Sequence, residues 1–281
     1  MPVRIITDSA SDISRAEAKQ WDIRVLPLKT IFGQEEFLDG VTLDHEGFYQ
    51  KLIETDTLPT TSQLSPFDYE EAFRLAEEAG EEVVCITLSS KLSGCCQSAR
   101  IAAEEHPGVV IVDSLNVCIG ERILVELAIR LRDAGFSAAE IAEELERAKG
   151  KIRLIALLDT LEYLKKGGRI SSATAFAGTL LSIKPVIAVK EGEVAILGKA
   201  RGSRNGSNML MTLAAESGID FDLPLCLAYS GLSDALLRKY MADSAHLYQD
   251  YAGELPISTI GSTIGTHVGP GAIALAYFSK T

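Results

Sequence analysis

Three short apolar runs in this chain end in the same way. Ile5-Ile6-Thr7 leads into Asp8-Ser9, residues 83–88 lead into Ser89-Ser90, and residues 109–112 lead into Asp113-Ser114. Runs of this length without apolar/polar alternation suit strands buried on both faces, the habit of a parallel sheet covered by helices. Their polar ends then gather along one edge of that sheet, where the loops of an open α/β fold leave a crevice. The feature thus predicts an α/β chain with a polar site at the carboxyl ends of its strands.

The most informative of these ends is Ser89-Ser90-Lys91-Leu92-Ser93-Gly94-Cys95-Cys96-Gln97-Ser98, read as a polar turn between a strand and a helix. Such a turn aims backbone N–H groups and the positive end of a helix dipole at the crevice, which favours an anion. Lys91 is not in the Gly-Lys-Ser/Thr setting of a nucleotide-binding loop, and the other donors are serine hydroxyls, so the reading is a cradle for a carboxylate or a single phosphate. The competing reading is a set of serines that only cap the helix. A second hydroxyl-rich stretch, Thr60-Thr61-Ser62-Gln63-Leu64-Ser65-Pro66, precedes a helix start with Ser65 as N-cap, Pro66 at the first position and Asp68 at the third. Thr61 and Ser62, read as loop residues, can face the same crevice. His267 lies between Gly265 and Gly269 in a stretch read as a loop, where a ring N–H can meet a ligand oxygen or a nearby carbonyl. Residues 269–274 match G-x-G-x-x-A, but too little chain follows for a dinucleotide-binding βαβ unit.

The rest of the pattern alternates strands and helices. Ser14 and Glu17, and Ser137 and Glu140, have capping-box spacing. Residues 23–28 read as an edge strand because of Pro27, the region of Gly33 and Gly40 as a hairpin or loop, and residues 119–131 as a buried helix. The natural division falls after Gly150, giving domains 1–150 and 151–281. The second opens with a strand over 152–158, then Gly167-Gly168 breaks the pattern and presents Arg169. Residues 173–181 are small and apolar, read as a helix ending before Pro185 and followed by a strand. Further strands are expected at 194–197, 224–228 and 256–260, between helices around Met209 and over 236–248.

Composition narrows function. Five cysteines without C-x-x-C spacing argue against a disulfide framework and a structural zinc, so Cys95-Cys96 should be reduced. No leader-like segment and no membrane-length apolar run is visible, which predicts a cytoplasmic protein. A net charge of −12 disfavours nucleic acid and anionic bilayers. The charge is uneven: residues 151–204 carry ten Lys and Arg against four acids, a net of +6, so the remainder carries −18. Lys165, Lys166 and Arg169 form one basic cluster, and Lys199, Arg201 and Arg204 another among glycines, read as loop cations that could steer an acidic partner.

Taken in order, Thr7-Asp8-Ser9-Ala10-Ser11-Asp12, Thr61-Ser62-Gln63-Leu64-Ser65-Pro66, Ser89-Ser90-Lys91-Leu92-Ser93-Gly94, Gly168-Arg169-Ile170, Ile183-Lys184-Pro185 and Gly265-Thr266-His267-Val268-Gly269-Pro270-Gly271 resemble the DegV family of bacterial fatty-acid-binding proteins. The resemblance runs nearly end to end. It implies two α/β domains, the first with a mostly parallel sheet and flanking helices, the second with a mixed sheet. It implies one long-chain fatty acid between them, with no cofactor and no metal. The carboxylate would be held by Thr61, Ser62, Ser93, Gly94 and His267, without a fixed cation. The small apolar stretch before Pro185 suits either close helix–sheet packing or the acyl tunnel, which would be lined by Ala173, Phe176, Ala177, Leu180, Leu181 and Ile183. It also implies a non-catalytic lipid carrier that contacts membranes transiently and works with a separate fatty acid kinase, related to dihydroxyacetone kinases, which forms an acyl-phosphate. Cys95-Cys96 departs from the family habit of Thr followed by an aromatic residue. Two other functions stay open on the residues alone: a serine hydrolase using Ser93, His267 and Asp8 or Asp113, and a binder of a phosphorylated metabolite.

Overall fold

The computed structural model describes residues 1–170 and 183–280. The first half runs β1 (Val3–Asp8), α1 (Arg15–Gln20), β2 (Arg24–Leu26), β3 (Lys29–Phe32), β4 (Glu35–Leu38), α2 (His45–Glu54), β5 (Thr60–Ser62), α3 (Pro66–Glu78), β6 (Glu82–Thr87), α4 (Cys95–Ala103), β7 (Val109–Asp113), α5 (Ile119–Asp133) and α6 (Ala138–Ala148). Strands β2-β1-β6-β7 form a parallel sheet, and β4-β3-β5 a small antiparallel one. The parallel sheet follows from the uninterrupted apolar runs: Ile5, Ile6, Val84, Cys85 and Ile86 are all fully buried. Ser14, Ser65 and Ser137 each close a capping box at the head of α1, α3 and α6.

The second half runs β8 (Ile152–Leu157), α7 (Glu162–Lys166), β9 (Ile183–Lys190), β10 (Glu193–Arg201), α8 (Gly202–Ser217), β11 (Leu225–Tyr229), α9 (Ala235–Asp243), β12 (Ile257–Thr259), α10 (Ser262–Val268) and β13 (Ile273–Phe278). Its strands form one mixed sheet in the order β10-β9-β8-β13-β11-β12, antiparallel except for the β11–β12 pair. The chain is therefore α/β, with a parallel sheet before Asp113 and a mixed one after Ile152. Helix α5 joins them, packing on β1 and β6 of one sheet and on β8, β11 and β13 of the other. Its buried Ile119, Ile123, Leu124 and Ala128 belong to one apolar cluster with Cys226, Ala228, Ala274 and Ala276 of the second sheet.

Three local expectations change. Strand β9 begins at Ile183, ahead of Pro185, which pairs with Lys199 of β10 and lies past the end of the β8 ladder, so its missing N–H is not needed there. Thr61 and Ser62 belong to strand β5, since Lys29, Thr30 and Ile31 supply a partner that no local pattern announces. His267 is helical, in the last turn of α10. The sequence of α10, with Thr263, Ile264, Gly265 and Thr266, favours helix poorly, and the helix forms because distant groups satisfy its first N–H donors.

Candidate functional site

The polar strand ends do two different jobs. Asp8 accepts hydrogen bonds from the N–H groups of Ala10 (3.0 Å) and Leu88 (2.9 Å), fixing the exit of β6 against β1. Its burial raises its pKa to about 7. Asp113 accepts from the N–H groups of Ser90 (3.2 Å) and Leu115 (3.0 Å), and Ser89 donates its hydroxyl to the carbonyl of Gly192 (2.7 Å) in the β9–β10 turn. These residues shape the 89–94 loop.

Ser93 is left at the crevice. Its Oγ donates to Cys95 Sγ and accepts from the Cys95 N–H, both at 3.3 Å. Burial pushes the Cys95 thiol up to about 12 and raises that of Cys96, so both stay protonated. A Cβ at Gly94 would press on the carboxamide of Gln63, the end of a flexible side chain that could move aside, whose Nε2 donates to Ser98 Oγ at 3.3 Å.

Opposite lies the pair of Thr61 and His267, with Thr61 Oγ1 3.0 Å from His267 Nε2. Burial first, and the charge of Arg169 second, lower the imidazole pKa to about 4, so the ring is neutral near pH 7. His267 Nδ1 is buried against Gly167 and has no hydrogen-bond partner among the described residues. A stranded N–H costs more than an unshared lone pair, which assigns the single ring proton to Nε2 as a donor to Thr61 Oγ1. The hydroxyl proton of Thr61 is then free for a ligand.

A cavity of about 350 Å³ opens at this point, lined by elements of both sheets. Thr61, Ser62, Gln63, Ser93, Arg169, Thr263 and His267 supply its polar part. Arg169 Nε donates to the carbonyl of Leu92 (3.3 Å), next to Ser93, and its Nη1 to that of Gly167 (2.6 Å), the residue against His267. The remaining wall is mainly apolar, with Leu28, Leu88, Leu154, Ile187 and Val194 among its residues.

Of the residues singled out in the sequence, Thr61, Ser62, Ser93 and His267 meet in this cavity, and Gly94 stands behind it. Arg169, read as a docking residue, lines it too, so a guanidinium joins a site expected to lack a fixed cation. Gln63 was not singled out, although its place between Ser62 and the Ser65 cap could have marked it. Ile183 does not line the cavity; it pairs with Arg201. Ala173, Phe176, Ala177, Leu180 and Leu181 lie outside the described residues. The basic residues are exposed but not on glycine-rich loops: Lys165 and Lys166 are on α7, Lys199 and Arg201 on β10, and Arg204 on α8. Within α8, Gly206 packs directly on Leu157, where a side chain would not fit.

The hydrolase arrangement is not assembled. His267 bonds Thr61, its other nitrogen has no carboxylate among the described residues to orient it, and Asp8 and Asp113 are engaged by backbone N–H groups. Among the described residues, no His, Cys, Asp and Glu cluster could hold a metal ion, and no helix is long and apolar enough to cross a membrane.

Fold and cavity define an α/β protein of one parallel and one mixed sheet, with a largely apolar chamber between them that ends in hydroxyl, imidazole and guanidinium groups. A family model described as an uncharacterised protein of the DegV family matches residues 2–280, and the chain belongs to that family. A DegV domain-containing protein of Clostridium acetobutylicum is 30% identical over 99% of both chains. Among solved structures, a DegV family protein of Thermus thermophilus, described by its fatty acid binding, shares 33% identity over 99% of this chain and 100% of its own, with a TM-score of 0.88. A stearic acid-binding protein of Eubacterium ventriosum shares 26% identity over 98% of both chains, with a TM-score of 0.86.

Proposed function

We propose that this protein binds one long-chain fatty acid in the chamber, its carboxylate at Thr61, Ser93 and Arg169 and its acyl chain along the apolar wall. The observation that carries the reading is the gathering of Thr61, Ser93, Arg169 and His267 in an otherwise mainly apolar cavity, with Thr61 bonded to His267 and Arg169 to the carbonyl of Leu92 beside Ser93. A buried carboxylate needs several donors, because an unpaired charge in a poorly polarisable interior is costly. Each buried CH₂ contributes about 0.8 kcal/mol relative to water, but a bilayer offers a similar amount. The headgroup contacts then tip the exchange between membrane and protein. The Thermus and Eubacterium relatives, described as fatty-acid binders, support the assignment.

The protein acts as a carrier without a cofactor, presenting the carboxylate in the cytoplasm to a separate fatty acid kinase of the dihydroxyacetone-kinase type. Lys165, Lys166, Lys199, Arg201 and Arg204 form the docking face for that acidic partner, with Arg169 at the rim serving both ligand and partner. A phosphorylated metabolite fits less well, since it would leave most of the wall without an apolar partner. The test is organic extraction of the purified protein followed by mass spectrometry. A stoichiometric fatty acid is expected. A phosphorylated compound in its place, or failure of the delipidated protein to take up palmitate, would overturn the reading.

A further inference from the structure

The small sheet β4-β3-β5 presents one polar residue from each strand to helix α10. Asp39, directly after β4, uses Oδ1 to accept from the N–H (2.9 Å) and Oγ (2.8 Å) of Ser262, and Oδ2 to accept from the N–H of Thr263 (3.2 Å) and from Ser9 Oγ (3.1 Å). It therefore replaces the missing N-cap side chain of α10. Thr30 of β3 lies with its Oγ1 2.8 Å from Ser262 Oγ. Because the Ser262 proton goes to Asp39, Thr30 must be the donor in that pair. Thr61 of β5 meets His267 at the far end of the same seven-residue helix.

These contacts close a ring. Thr61 is the cross-strand neighbour of Thr30, Thr30 bonds Ser262, the helix runs from Ser262 to His267, and His267 returns to Thr61. Thr30, Asp39 and Ser262 are all buried, and none lines the acyl cavity. Gly265, midway along the helix, seats on Phe48 and Tyr49, where a Cβ would clash. A helix pinned at its head and along its side has little freedom to slide, so the height of the imidazole against β5 is set at Ser262.

We propose that Asp39, Thr30 and Ser262 are positioning residues of the headgroup site. They act through α10 to hold His267 in register with Thr61, and so tune affinity for a carboxylate but not for an acyl chain. This rests on the fatty-acid reading above. The test uses the delipidated full chain and measures displacement of a fluorescent apolar probe by palmitate and by its methyl ester, with thermal unfolding as a check on folding. Thr30→Val, which keeps the shape of the side chain, and Ser262→Ala should each weaken palmitate by roughly tenfold. The methyl ester should change by less than about twofold, and the ¹⁵N resonances of the His267 ring should shift with loss of the Thr61 contact. Adding either substitution to His267→Ala should cause no further loss. Unchanged palmitate affinity in the folded single variants, equal losses for acid and ester, or additivity with His267→Ala would overturn the proposal. Thr61→Val and His267→Ala with undiminished palmitate affinity would instead bring down the carboxylate reading on which it rests.

Discussion

Replacing His267 with Gln removes a proton linkage that the wild-type protein carries. The imidazole titrates at an ordinary value of 6.5, and in the fold burial, with Arg169 as the lesser cause, lowers this to about 4. Between these values the unfolded chain binds a proton that the native one does not, so stability falls as the pH falls through the window. The difference in protonation free energy is about 2 kcal/mol at pH 5 and about 0.2 kcal/mol at pH 7. The hydrogen bond to Thr61 is absent from the variant at both pH values and cancels when each protein is compared with itself. Urea unfolding followed by circular dichroism, at each pH and for each protein, yields the two differences. On acidification from pH 7 to pH 5 the stability change of wild type should be about 2 kcal/mol less favourable than that of His267→Gln. Equal changes in the two proteins would refute the burial of a neutral imidazole, and a less favourable change in the variant would reverse the sign of the argument.

Asp8 and Asp12, raised by burial to about 7 and about 8 from an ordinary 3.8, have the opposite linkage: their contribution is lost as the pH rises through those values. In the His267→Gln background, acidification from pH 8 to about pH 5 should therefore stabilise the protein in urea titrations, and a decline would contradict it. Ser93→Ala should fold normally and bind palmitate more weakly by roughly 1.5–3 kcal/mol in displacement titrations, with unchanged binding counting against Ser93 as a ligand. Arg201→Ala should keep its fatty acid while slowing kinase-dependent acyl-phosphate formation below saturation, an effect that fades with salt. Arg169→Ala should lose both, and wild-type phosphorylation by the two variants would reduce the basic face to solvated surface. Gly265→Ala should lower the unfolding midpoint through the clash with Phe48 and Tyr49, at a cost of about 1–3 kcal/mol, and an unchanged midpoint would show that those rings yield freely.

What was legible in the sequence follows the range of the forces involved. Capping boxes at Ser14, Ser65 and Ser137 are complete within four residues, and each starts a helix where it stands. The apolar runs before Asp8, Ser89 and Asp113 located the parallel strands because burial on both faces leaves a composition that needs no partner to be recognised. Helix α10 stayed hidden because its cap, Asp39, is 223 residues away from Ser262. Strand β5 stayed hidden because three residues carry no period, and its partner β3 lies across an intervening helix. That Arg169 lines the cavity was not legible because an exposed cation after paired glycines looks the same whether it borders solvent or the mouth of a cavity.

The position of α5 has a mechanical consequence. A helix that fills the space between two sheets is shared property: neither sheet can swing away from the other about a linker without stripping one side of the same buried rod. Scission at residue 150 would leave the first piece with a water-exposed greasy flank and the second without its filling, so neither half should behave as an independent module. The chamber cannot open like a book. The acyl chain proposed for the chamber would then enter and leave through small displacements around the mouth while the body of the protein stays shut, which makes exchange a matter of local openings rather than of domain motion.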